Sequence, residues 1–204
     1  MAADQREQQR RMAKLVFVAI VAYHAYAFGR ALMGPTASDS SDPRIRDSAF
    51  AVVIMWPVAA AGLLLHRINP AKFAAARTSV RFLYSFVFSL MILHIAVAFH
   101  LGHAWSHDAA YEHTERAGGF GAGVYVNEFF LLLWLVELIW MWSSFDSYLR
   151  RPAWLNALIL GFMGFIYINA AFVFATNFTR IVSAFAMAVS CCFVWRVRGG
   201  SART

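Results

Sequence analysis

Apolar residues fall in six long runs along the chain, at about 14–33, 49–66, 82–103, 124–143, 154–175 and 178–196, separated by polar segments. Each run has roughly the 20 mostly apolar residues that a helix needs to cross a bilayer. The pattern therefore predicts an all-α polytopic membrane protein of six transmembrane helices forming one domain over residues 1–204. Two connecting segments, 34–48 and 104–123, are long enough to be loops in their own right, whereas the break near Thr176-Asn177 is so short that the last two helices should form an antiparallel hairpin.

The cations sort with this pattern. Arg6, Arg10, Arg11 and Lys14 precede the first run; Arg67, Lys72, Arg77 and Arg81 lie between the second and third; Arg150 and Arg151 lie between the fourth and fifth; Arg196, Arg198 and Arg203 follow the sixth. Cytoplasmic segments are the ones enriched in Lys and Arg. These alternate segments are thus expected to be cytoplasmic, with both termini inside and the loops 34–48 and 104–123 extracytoplasmic. A bacterial inner or plasma membrane is the expected location.

Composition agrees. Hydrophobic residues make up 60% and charged residues 14% of the chain, and its mean hydropathy is +0.55; a soluble domain has about a quarter of its residues charged. The net charge of +7 would suit a nucleic-acid partner if it were displayed on one surface. Because it is spent on topology, the expected partners are the lipid bilayer, an apolar small molecule and other membrane subunits, with no nucleic acid. The first run also resembles a secretory signal, with a basic start, the core LVFVAIVAY and the small-residue pattern Ala25-Tyr26-Ala27. It continues to Met33, so a retained spanning helix is expected. Cys191 and Cys192 are adjacent in the last run and are read as packing residues, since no C-x-x-C motif is present.

Candidate chemistry concentrates in one place. The stretch HLGHAWSHDAAYEHTE, residues 100–115, holds His100, His103, His107 and His113, and His94 lies just upstream. If the third helix continued through His107, then His100, His103 and His107 would stand on one stripe, and His103-x-x-x-His107 is a spacing from which two imidazoles can converge on one ion. His94 falls on the opposite face of such a helix, so Gly102 would have to break it, or His94 would serve a separate site. Glu128 is the candidate carboxylate ligand, and Glu137, inside the fourth run, a candidate proton relay. His24, Asn127 and Asn169 are further polar groups in or beside the apolar runs. The plainer reading is that interfacial histidines are solvated while His24 and His94 bond to neighbouring helices. The glycines of AGGFGAG, residues 117–123, are expected to let the backbone turn or approach a neighbour; they lack the strand and Lys of a phosphate loop.

Imidazole with carboxylate suits iron or copper, and after them zinc; the thiolate centres lack ligands here. The expected site therefore uses His103 and His107 with two of His94, His100 and His113, joined by Glu128, for redox chemistry on a lipid, quinone or other apolar substrate. The HxxxH box resembles one element of the membrane fatty-acid hydroxylases and desaturases, which implies a non-haem iron oxidoreductase. Those families carry several such boxes on the cytoplasmic side, whereas this chain has seven histidines in all and turns its cluster outward. A haem b electron carrier is the alternative, with His24 and His94 as axial ligands. A third class is non-enzymatic: a metal or proton transporter, or a structural subunit of a membrane complex. A retinal protein would need a Lys within a span, where only Lys14 at the edge of the first occurs, and a serine hydrolase would need a G-x-S-x-G element, which the sequence lacks.

Overall fold

The structure is a computed structural model, and its described residues are 18, 21–22, 25–26, 28–31, 33, 43–172 and 175–201. All regular structure among them is helical: α1 Pro43–Ile68, a 3-10 turn Ala74–Ala76, α2 Arg77–Gly102, α3 His107–Gly118, α4 Gly123–Ser143, α5 Phe145–Arg150, α6 Ala153–Phe172 and α7 Asn177–Ser201. Five helices are long and apolar enough to cross a membrane: Pro43–Ile68, Ala74–Gly102, Gly123–Ser143, Ala153–Phe172 and Asn177–Gly199. Half of the first predicted span, 14–33, lies outside the described residues, His24 included. The residues described within it are helical, and Ala31 is buried against Val97 and Leu101 of α2.

Two boundaries differ from the sequence expectation, each for a local reason. α1 begins at Pro43 rather than near residue 49, because proline is pre-organised for the first helical position, where its missing N–H costs nothing. Ser48 is therefore helical and buried instead of belonging to a loop. The segment 104–123, expected to be a loop, contains the helix α3: the Ser106 hydroxyl accepts from the Ala109 N–H at 3.3 Å at its start, and Gly119, at φ 71°, ends it in the left-handed region.

α1 is central and packs on α2 and α7, with α6 alongside. The core is aromatic: Trp56, Tyr84, Trp134, Met163 and Tyr167 are buried, and Trp56 stacks on Tyr167 with ring centres 4.9 Å apart. The outside is as apolar as the inside. Ile181, Phe185, Val189 and Phe193 form an exposed stripe at four-residue spacing along α7, and Phe129, Leu132, Val136 and Ile139 are exposed on α4. Such a surface suits a lipid bilayer. Cys191 and Cys192, expected to pack, are exposed on that same helix α7.

The alternating helices leave two polar ends. At one, which we call the basic end, lie the end of α1, the starts of α2 and α6, and α5. At the other, the histidine end, lie the end of α2, α3 and the start of α4.

Candidate functional site at the histidine end

α2 stops at Gly102 and does not carry through His107. The chain then turns through Ala104 and Trp105 at φ 47° and 61°, two consecutive non-glycine residues in the left-handed region, each strained by roughly 1 kcal/mol or more. The turn is held by the Trp105 N–H donating to the Phe99 carbonyl at 3.0 Å and the Ser106 N–H donating to the His103 carbonyl at 2.8 Å. The one-stripe arrangement of His100, His103 and His107 is thereby lost. In its place, a second helix brings His107 and His113 back beside the end of the first.

The result is a set of pairs. The His103 and His113 rings lie 5.3 Å apart between centres, at 47°. The His107 Nδ1 is 3.2 Å from Glu128 Oε1, both side chains being largely exposed. Phe99 ties the two pairs together, with its ring 5.6 Å from His103 and 5.4 Å from His107. His100 takes a long 3.4 Å hydrogen bond from the Trp105 indole. His94 stands apart, bonded through Nδ1 to the Ser48 hydroxyl at 3.0 Å. Among the described residues no three His, Cys, Asp or Glu side chains converge so as to hold a metal ion. The expected ligand set is thus not brought together as one group: His94 stands apart, and His103 with His113 and His107 with Glu128 form separate pairs.

His103 is the most unusual member. Its Nδ1 is buried and has no hydrogen-bond partner. Burial first, and the neighbouring His113 second, hold its pKa below the ordinary imidazole value of 6.5, while the adjacent Gly102 carbonyl works weakly the other way. The ring is accordingly kept neutral. Two glycines of the connecting segment shape the surroundings: Gly119 supplies the left-handed turn, and a side chain at Gly121 would run into the Tyr111 ring. The Gly121 N–H also donates to the Glu115 carboxylate, which locks α3 to the start of α4 and so sets where Glu128 stands.

Glu137 belongs to the other end. Arg151 Nη1 donates to both of its carboxylate oxygens at 2.5 Å, and the Tyr148 hydroxyl donates to Oε2 at 2.9 Å. Asn127 is exposed, and the Asn169 amide merely donates to the Phe165 carbonyl one turn back at 2.9 Å. Arg151, Tyr148, Ser48 and Trp105 were not singled out from sequence. The first had a signal, since a carboxylate inside a span demands a cation; the other three are set by tertiary packing. No family model, curated protein or solved structure matches the chain, so its own residues carry the functional argument.

Proposed function

We propose that this chain is a six-span integral membrane protein, both termini cytoplasmic, whose extracytoplasmic histidine end binds a transition metal for redox chemistry on a lipid, quinone or other apolar substrate. One observation carries the reading: the His103 and His113 rings lie 5.3 Å apart between centres, tilted by 47°, and the buried Nδ1 of His103 is unpartnered. Two imidazoles that ligate one ion at about 2.1 Å each place their ring centres about 5 Å apart, the separation of this pair, and rotation of the rings would aim a nitrogen of each at one ion. A buried ring nitrogen without a partner costs about 1–3 kcal/mol, and coordination removes that cost. The neutral state imposed on His103 is the one that ligates.

His107 and Glu128 are the groups to complete the sphere. His107 packs on the Phe99 ring that also meets His103, Glu128 pairs with His107, and their exposure leaves both side chains free to rotate. This imidazole and carboxylate donor set suits iron or copper, with zinc next. When bound, the metal would supply one-electron chemistry, while the strained turn at Ala104 and Trp105 fixes where the imidazoles stand. The basic end supplies Arg67, Lys72, Arg77, Arg81, Arg150 and Arg151 for the cytoplasmic face, although Arg44, Arg46, Arg116 and Arg180 lie toward the other.

Metal analysis by mass spectrometry on tag-free protein tests the site. Near-stoichiometric iron, copper or zinc that disappears in the His103→Ala/His113→Ala variant, with helical content unchanged, is the expected result. Full occupancy in that variant would overturn the ligand assignment, and metal-free native protein would return the chain to a transport or structural role. Thiol labelling of a Ser40→Cys variant from outside, but not of Ser201→Cys, checks the topology; the reverse pattern would overturn it.

A further inference from the structure

In the half of the bundle nearer the histidine end, helices α1, α2, α4 and α6 border a cavity of about 50 Å3. At some 10–15 Å3 per water-sized sphere it has room for about four, enough for the oxygen-bearing edge of a small ring. Trp56, Met91, Phe130, Trp134 and Tyr167 are among its walls, and no Asp, Glu, Lys or Arg lines it. All these residues lie within spanning helices, so a ligand reaches them through hydrocarbon.

Two residues that line the cavity nevertheless carry hydrogen-bonding capacity that the protein does not use. The indole N–H groups of Trp56 and Trp134 are buried with no acceptor, although these side chains are only 7% and 0% exposed. Buried donors are satisfied almost everywhere else in folded proteins, so two on one cavity call for acceptors brought from outside. The Tyr167 hydroxyl is not a third free donor, because it donates to the Val53 carbonyl at 2.8 Å. His94 adds the opposite polarity. The Ser48 hydroxyl donates to the Ile45 carbonyl at 2.7 Å, so its 3.0 Å contact with His94 uses Nδ1–H as donor and assigns the lone pair to Nε2.

Flat aromatic walls, two neutral donors, one neutral acceptor and no charge define the ligand class. It is a flat, uncharged, membrane-soluble ring with carbonyl oxygens, whose reduced form offers hydroxyl protons. We infer that this cavity binds the head ring of a membrane para-quinone, with Trp56 and Trp134 donating to its carbonyl oxygens and His94 Nε2 accepting from the quinol hydroxyl. As an assignment of substrate class it rests on the redox reading above; as a binding site it does not.

The test uses the full chain in phosphatidylcholine nanodiscs after chelator treatment, titrated calorimetrically with decylbenzoquinone and, separately, with decylbenzene, which lacks the carbonyls. Saturable binding of the quinone alone is expected. Trp134→Phe and Trp56→Phe, which keep an aromatic ring and remove the donor, should each weaken it about three- to tenfold, the effect of one neutral hydrogen bond. Ala170→Phe, which fills the cavity, should abolish it. Circular dichroism and gel filtration identify any variant that fails to fold, in which case photolabelling of the native protein with an azidoquinone decides, with label expected on α1 or α4. Equal binding of decylbenzene, indifference to both Trp→Phe changes, or label spread along the lipid-facing stripe of α7 would overturn the inference. Quinone binding by protein that never holds metal would sink the metal reading alone; metal-loaded protein that binds no quinone would sink this one alone.

Discussion

The two ends of the bundle treat their charged and ligating side chains differently, although each leaves buried polar atoms without a partner: His66 Nε2 and Arg81 Nε at the basic end, His103 Nδ1 at the histidine end. At the basic end Glu137, Tyr148 and Arg151 are all buried, yet each finds partners: Arg151 spans both Glu137 oxygens at 2.5 Å and reaches Asn156 Oδ1 through Nη2 at 2.7 Å. Arg67 adds its own bonds to the Leu149 and Arg151 carbonyls at 2.8 and 2.5 Å, and Arg77 pairs with Asp146. At the histidine end the imidazoles meet one another, an exposed carboxylate or an indole, and a buried ring nitrogen of His103 is left over. A network that satisfies its own members stabilises a fold. Polar atoms that are held in place by strained backbone and left open are suited to receiving something else.

The comparison breaks first at Glu137. Replacing it with Ala strands the Arg151 guanidinium in a buried site, and the expected loss is about 3–5 kcal/mol in detergent unfolding experiments; a loss under 1 kcal/mol would mean that the pair is hydrated. Tyr148→Phe removes one hydrogen bond to that carboxylate and should cost about 1 kcal/mol by the same measurement. His107→Gln breaks an exposed pair, so its effect should stay below about 1 kcal/mol and fade with added salt. The smallest effect concerns pH. Because His103 titrates below 6.5 in the fold, the unfolded chain takes up its proton first. Stability should thus fall gently as pH drops through 6.5 and level off once His103 itself protonates, and His103→Gln should flatten that slope in thermal melts.

How much of this was legible follows the same division. Long apolar runs announce spanning helices because a bilayer leaves the backbone few other options, and five such helices are present among the described residues. The helix α3 was legible in principle, since Ser106, Asp108 and the Gly118-Gly119 pair are ordinary start and stop signals, but the surrounding polarity made a loop the natural reading. The turn after Gly102 was not, because Ala and Trp carry no preference for positive φ and only tertiary packing imposes it. Glu137 was legible as an intramembrane charge, while its assignment as a relay near the histidines failed to anticipate Arg151, a partner that helical spacing cannot reveal. His94 falls on the face opposite His103 by helix geometry alone, while its bond to Ser48 depended on α1 starting earlier than its apolar run.

The most direct test of the contrast between a paired carboxylate and guanidinium at the basic end and ligating imidazoles at the histidine end is X-ray absorption spectroscopy at the edge of whichever metal co-purifies. Scattering from at least two imidazoles, reduced in His113→Ala and unchanged in Tyr148→Phe, is what this account requires. A spectrum without imidazole scattering, or one indifferent to His113, would contradict it.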